Sequence, residues 1–377
     1  MNNVMHHHTD EPVSHFIETM LNEANAKLAS DIHIEYMEQA YRVRARIDGE
    51  LYEFTTIPFQ FAQRVITRLK ILAGLNIAEK RLPQDGRITT GAENHPEIRI
   101  STCPTFHGEK IVMRLQHPFN TNVKLHELGL NENQNNLLQT KLRQPQGLIL
   151  TTGPTGSGKT LTLYSALKFI NNSKKNILTV EDPIEIELAG INQVMVHPKI
   201  GLDFATILRA FLRQDPDIIM IGEIRDFETA KIALQAAQTG HLVLSTLHAN
   251  HASEVIDRFK ILGIDLLDSL TSLSLIMAQR LIKKLCNHCK VLIPETKEYR
   301  AKGCAHCRGG YINRTGIFEL MDVSKHVNAS SSLQNPSLLL HKIKTETLSL
   351  WQSGCEKIKS GETTYQELQR VLGTSYN

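Results

Sequence analysis

LILTTGPTGSGKTLTLYSALKFI, residues 148–170, decides the fold. Leu148–Thr152 is a short apolar run of the kind that forms a buried strand, and Leu161, Leu163, Leu167 and Ile170 then recur at helical spacing. Between them Gly153-Pro154-Thr155-Gly156-Ser157-Gly158-Lys159-Thr160 fits GxxxxGK[ST], the phosphate-binding loop. Its glycines let backbone N–H groups turn toward phosphate oxygens without a Cβ in the way, and the following helix start adds partial positive charge. In such a loop Lys159 reaches the β and γ phosphates and Thr160 holds Mg²⁺. The strand–loop–helix context is what makes the pattern specific for a nucleotide such as ATP.

Working outward, apolar runs at 148–152, 176–180, 217–221 and 241–246 alternate with helical patterns. That rhythm predicts an α/β domain built on a parallel sheet with crossover helices. Ligands of such sheets sit beyond the carboxyl ends of the strands, so the groups found there are site candidates. Glu223 and Asp226 follow the third run, Glu223 standing 64 positions after Lys159, where an acid can order Mg²⁺ or the attacking water. Glu181, Asp182 and Glu185 end the second run, and His248 ends the fourth, with His241 at its start. Arg209 and Arg213 share a helix face before the third run; a surface pair is the plain reading, a phosphate or intersubunit role the functional one.

Upstream, Phe16, Ile17, Met20, Leu21, Ala24 and Leu28 fall on one face of a helix over 14–28. DIHIEY (31–36) and YRVRARID (41–48) alternate as half-buried strands do, with Asp48-Gly49 as a tight turn. Pro58 precedes a helix carrying Phe61, Val65, Ile66, Leu69 and Leu72 and closed by Gly74; EIRIS (97–101) and KIVMRL (110–115) predict further strands. Residues 1–13 therefore form a polar tail, 14–118 a small α+β domain, 119–145 a polar connector with a short helix, and 146–377 the α/β domain; SSSLQNPS (330–337) is a predicted linker. Arg42, Arg44 and Arg46 share a strand face, read as a solvated one, and His6-His7-His8 is assigned no function.

The 377 residues allow two or three domains, and 41% apolar with 21% charged residues is ordinary globular usage. Disorder, collagen and disulfide scaffolds are excluded. A net charge of +3 and 6% aromatic residues give little footprint for nucleic acid, and no apolar stretch reaches spanning length, so no nucleic-acid partner and no membrane insertion are expected of a cytosolic protein. Cys286, Cys289, Cys304 and Cys307 form two CxxC pairs separated by fourteen residues, close to the spacing of tetrahedral structural zinc. Cys103 and Cys355 read as small buried residues.

These segments together resemble the ATPases of type II secretion and type IV pilus assembly, within the wider secretion-ATPase superfamily. The resemblance runs from about residue 28 to 372 and rests on ASDIHIE, RARIDGEL, KRLPQDGRI, GPTGSGKT, LTVEDPIE, LRQDPDIIMIGEIRD, TGHLVLSTLHA, GCAHCRGGYINRTGIFEL and GCEKIKSGETTYQEL. It implies a RecA-like C-terminal ATPase domain, an N-terminal domain that closes over the nucleotide, and a ring of six subunits at the cytoplasmic face of an inner membrane, passing work to a membrane platform protein. By the same resemblance 153–160 is Walker A and Glu223 the Walker B acid. Glu181, Asp182 and Glu185 lie in the family's Asp box, and His241 and His248 in its His box. Arg87 and Arg99 look like arginines that reach the phosphates on closure, and Arg209 and Arg213 match family arginines. The four cysteines match the zinc element of the assembly and secretion branch, which retraction relatives lack; extrusion is thus favoured. The sequence differs from the family in starting almost at the two-strand motif, so that the extra docking domain of many relatives is expected to be absent, in its short intercysteine insert, and in carrying His251 where smaller or acidic residues are common. A nucleic-acid translocase and a non-hydrolysing nucleotide switch are the rival readings.

Overall fold

A computed structural model describes residues 11–88, 97–116, 123–328 and 336–374. The His6–His8 triplet and most of the 330–337 linker lie outside them. The chain divides into two compact units, Met1–Phe119 and Asn120–Asn377.

The first unit runs α1 (Glu11–Ala26), β1 (Asp31–Met37), β2 (Ala40–Ile47), β3 (Glu50–Pro58), α2 (Phe59–Leu72), β4 (Gln84–Ile88), β5 (Glu97–Thr105) and β6 (Gly108–Gln116). The strands form one antiparallel sheet in the order β3-β2-β1-β6-β5-β4. Helix α1 buries Val13, Ile17, Met20 and Ala24. Leu28, expected on that face, is 68% exposed, because the helix stops at Ala26 and Leu28 takes a left-handed φ of 53°. Asp48 (φ 50°) and Gly49 (φ 87°) make the two-residue turn that opens β3, both in the conformation such hairpins require. On α2, Leu72 is exposed while Lys70 is buried, its Nζ donating to the Glu79 carbonyl at 2.8 Å and pairing with Glu109.

The period of two on β1, β2, β5 and β6 sends Ile32, Ile34, Val43, Ala45, Ile100 and Met113 into the core. The opposite face is a charge network rather than the plainly solvated surface expected. Glu35 bonds Arg44 Nη2 at 2.6 Å and Lys110 at 2.8 Å, with Arg42 at 3.7 Å; Asp31 accepts from Arg114 Nε at 3.0 Å, with Arg46 at 3.9 Å. Partial burial is the largest influence on the Glu35 carboxyl and would raise it, but Lys110 and Arg44 outweigh it and hold it below the usual range.

The second unit opens with a 3₁₀ turn (Leu125–Glu127) and α3 (Glu132–Leu142), then β7 (Gly147–Thr152), α4 (Lys159–Ile170), β8 (Ile177–Glu181), β9 (Asn192–Met195), α5 (Phe204–Phe211), β10 (Ile218–Ile221), α6 (Phe227–Gln238) and β11 (Leu242–Leu247). There follow α7 (Glu254–Ile261), α8 (Leu266–Ser272), the long β12 (Leu273–Leu285), a small hairpin β13 (Val291–Ile293) and β14 (Glu298–Arg300), β15 (Tyr311–Asp322), and helices α9 (Val323–Asn328), α10 (Pro336–Glu346), α11 (Leu350–Lys359) and α12 (Tyr365–Leu372). The main sheet has the order β15-β12-β7-β11-β10-β8-β9 and is parallel except for β15, which pairs antiparallel with β12. It is a mixed α/β sheet with buried strands at its centre.

Residues 125–142 are packed into this unit rather than strung out as a connector: Leu125, Leu128, Leu138 and Leu142 join the core beneath β7 and β12. The polar composition of the segment hides this, since its buried Gln134 is satisfied by donating to the Phe318 carbonyl at 2.9 Å.

Candidate nucleotide site and cysteine cluster

Strand β7 lies between β11 and β12, so the loop that leaves its carboxyl end emerges at the middle of the sheet. Three glycines in this loop have left-handed φ: 145° at Gly153, 80° at Gly156 and 91° at Gly158. A Cβ on Gly153 would lie 2.6 Å from the Gln279 carbonyl oxygen, and one on Gly158 2.8 Å from Gln279 Nε2. Helix α4 starts at Lys159 with no side chain capping it, which leaves its first N–H groups for a ligand. The Ser157 hydroxyl is buried without a partner. An orphaned hydroxyl, a glycine cradle and an uncapped helix start fit a polyphosphate.

Lys159 donates to the carbonyls of Gly153 at 2.7 Å and Pro154 at 3.0 Å. Burial lowers its pKa, with nearby Glu223 opposing and Arg280 adding to the shift. Glu223 follows β10 and His248 follows β11, and the two meet: His248 Nε2 lies 3.3 Å from Glu223 Oε2. Arg225 binds the other Glu223 oxygen and approaches Asp182 at 3.9 Å. Burial, the largest influence on Glu223, would raise its carboxyl, but Arg225 and His248 prevail and keep it below the usual range. Glu223 is thus an ionised acceptor at neutral pH.

Other expected residues sit elsewhere. Asp226 caps α6, accepting from Thr229 N at 2.8 Å. Glu181 is buried and accepts from Tyr164, from Thr179 Oγ1 at 2.6 Å and from Gln193 Nε2 at 3.0 Å, while its backbone lies beside Gly222, the residue before Glu223. His241 precedes β11, whose start is in register with the start of β7; at about 3.3 Å per residue it is roughly 20 Å from the phosphate-loop end. Its Nδ1 contacts the Ala236 carbonyl at 3.0 Å. Arg209 pairs with Glu228 on α6; Arg213, expected on the same helix face, lies past the end of α5 and donates to the Arg209 carbonyl at 2.8 Å, and both are exposed. Cys103, expected buried, is exposed on β5.

In the first unit Arg87 opposes Arg99 across β4 and β5, and Arg99 opposes Arg114 across β5 and β6. The three side chains line one cavity of about 480 Å³ with Asp31 and Asp85. Arg114 is paired there with Asp31 at 3.0 Å, so the cavity carries charges of both signs. Arg114 was not singled out in the sequence, although its spacing within KIVMRL puts it on the charged face. Gln279 and Arg280 were also missed; their signal is a polar pair interrupting the apolar run Leu275–Ile282.

Cys286, Cys289, Cys304 and Cys307 converge after β12, with all four sulfurs within 4.8 Å of one another. Sulfur separations of 3.6 Å for Cys289–Cys307 and Cys304–Cys307 and 3.9 Å for Cys286–Cys304 match the edge of a thiolate tetrahedron, about 3.8 Å for metal–sulfur bonds of about 2.3 Å. The cluster fits a metal ion.

A parallel sheet whose central strand delivers a glycine loop, a lysine and an uncapped helix, beside an ionised strand-end acid, defines the P-loop nucleotide-binding class. Residues 6–370 match the family described as Type II/IV secretion system protein, and the chain belongs to that family. It is 45% identical to the type IV pilus assembly ATPase PilB of Pseudomonas aeruginosa over 96% of this chain and 68% of that one. It is 42% identical to the type II secretion system ATPase E of Vibrio cholerae, over 97% and 76%. These relatives are longer, and the chain spans about two thirds to three quarters of them. Among solved structures, the pilus retraction motor PilT with bound ADP superposes with a TM-score of 0.62 at 27% identity, over 94% of this chain and 96% of that one. The Legionella pneumophila ATPase DotB shares the fold, with a TM-score of 0.70 at 22% identity over 94% of each chain. No helix among the described residues is long and apolar enough to cross a membrane.

Proposed function

We propose that this chain is the ATP-hydrolysing motor subunit of a type II secretion or type IV pilus assembly system, working as a hexamer at the cytoplasmic face of an inner membrane and driving a membrane platform protein that extrudes pilin-like subunits. The observation that carries this reading is the meeting of Glu223 and His248 at the ends of adjacent strands beside the Lys159 loop. The loop N–H groups, Ser157 and Lys159 hold the phosphates, and Thr160 is the residue that would hold Mg²⁺, which neutralises phosphate charge when bound. Water attacks the γ-phosphorus as the bond to the β–γ bridging oxygen breaks, giving ADP and phosphate. With its carboxyl held low, Glu223 orients that water by accepting its hydrogen bond, and His248 Nε2 steadies the carboxylate. Arg87 and Arg99, by their match to the family's arginines, would supply positive charge to the transferred phosphoryl group. Arg209 and Arg213 face outward and suit a neighbouring subunit. The four cysteines hold a structural Zn²⁺ that serves the assembled machine rather than hydrolysis. The test is Glu223→Gln in the full chain: nucleotide affinity is retained while MgATP hydrolysis falls by about 10²-fold or more. Near-normal turnover removes Glu223 from the reaction, and absence of turnover in the parent chain favours a nucleotide switch instead.

A further inference from the structure

Arg280 lies on β12 with 8% of its surface exposed. One edge of its guanidinium faces the phosphate loop: Nη1 donates to the Gln279 carbonyl at 3.0 Å and lies 3.2 Å from where a Gly153 Cβ would be. The other edge holds the loop that carries His248, Nη2 donating to the Asn250 carbonyl at 2.9 Å. Neighbouring contacts tie the same two loops together. Thr152 Oγ1, at the end of β7, donates to the Leu247 and Ala249 carbonyls at 2.7 and 2.9 Å and accepts from Ala249 N at 2.8 Å. From β15, Glu319 accepts from Ala252 N at 3.2 Å and pairs with His251 at 3.5 Å. Gln279, next to Arg280, accepts from Thr162 Oγ1 of α4 at 2.8 Å.

A buried guanidinium is costly to leave unsatisfied; here Nη1 and Nη2 bond backbone carbonyls, with the Glu319 and Glu254 charges nearby. A cation so placed senses the backbone of both loops. Phosphate in the loop would bear on the Gly153 edge of this guanidinium, and Arg280 is the group positioned to pass that load to Asn250. We infer that Arg280 is a positioning residue that couples occupancy of the phosphate loop to the order of the 248–252 loop, which carries His248. This inference rests on the nucleotide site proposed above.

The experiment is hydrogen–deuterium exchange on the full chain with and without saturating MgADP, read on the amides of 247–253. In the parent chain nucleotide slows exchange there by at least about fivefold, the lower end of ordinary coupling between sites. In Arg280→Gln, MgADP binds with affinity close to the parent's, yet exchange over 247–253 does not change. Arg280→Lys keeps the charge but lacks the two-ended fork; it gives the same uncoupled result and stands in should the Gln variant fold poorly. Slowing of full size in either variant, or no slowing in a parent chain that binds MgADP, overturns the inference. A parent chain that fails to bind MgADP overturns the nucleotide reading itself, and this inference with it.

Discussion

The two sheets keep their polar groups in different places. The antiparallel sheet of the first unit buries one face, so its charges stand on the other, rank by rank, as Arg87, Arg99 and Arg114 do. The central strands of the second sheet are buried on both faces, and their reactive groups appear where the strands stop: Gly153 after β7, Glu223 after β10, His248 after β11. A strand face spreads its groups in ranks, here arginines and a lysine interleaved with Glu35 and Asp31. Strand ends converge a few unlike groups on one point, as directed chemistry needs. On the proposed reading, binding charge and positioning a nucleophile are divided between two architectures.

Separating the units breaks this division most severely. A fragment spanning 120–377 is expected to bind MgATP but hydrolyse it about 10³–10⁵-fold more slowly, the range that phosphoryl-directed arginines contribute; full turnover by the fragment would remove the arginine row from the reaction. Cutting instead at 146 strips away Leu125, Leu128, Leu138 and Leu142, where a single buried leucine is worth about 2–5 kcal/mol, so that shorter fragment should fail to fold by circular dichroism.

Removing metal from the cysteine cluster comes next. Elemental analysis is expected to find one Zn²⁺ per chain, and Cys304→Ser to lose it and loosen 286–307 while nucleotide titrations stay unchanged; four readily alkylated thiols in untreated protein would contradict the assignment. A smaller effect is expected from Gly153→Ala, whose Cβ meets the Gln279 carbonyl oxygen at 2.6 Å on a residue with φ 145°. Thermal unfolding should record a loss of about 1–3 kcal/mol, with weakened nucleotide binding.

The mildest test lies on the charged face of the first unit. Glu35 is depressed in the folded state, so its stabilisation is present above the ordinary value of 4.5 and is lost as pH falls through the lower folded value. Glu35→Gln should flatten that acid limb and cost about 1 kcal/mol or less at neutral pH; equal acid sensitivity in both proteins would place the titrating group elsewhere.

How much of this was legible follows the same division. Alternation exposes half-buried strands directly, so β1, β2, β5 and β6 are readable from spacing alone, and the glycine loop is readable from its pattern. β12 is not. LSLIMAQRLIKKL is rich in helix-forming residues, and only tertiary packing against β7 and β15 makes it a strand. Arg280 is hidden with it. The strand-end rule points correctly to Glu223 and His248 but cannot tell that Glu181 turns inward to Tyr164, because spacing does not say which neighbour supplies a hydrogen bond. His241 shares a strand with His248 but belongs to its opposite end, a distinction that needs strand direction as well as membership.

β12 also joins two chemistries on one length of backbone. Arg280 lies against the phosphate loop and Cys286, six residues further, begins the cysteine cluster, about 20 Å along an extended chain. The strand pairs with β7 only as far as Ala278 and with β15 from Leu275 to Leu285, with a register shift between Lys283 and Leu285; on its other edge Lys283 N donates to Glu367 Oε1 at 2.8 Å and the Lys283 carbonyl accepts from Thr363 Oγ1 at 2.8 Å. The backbone that runs from the phosphate loop to the cysteines is therefore held by the C-terminal segment as well as by β15.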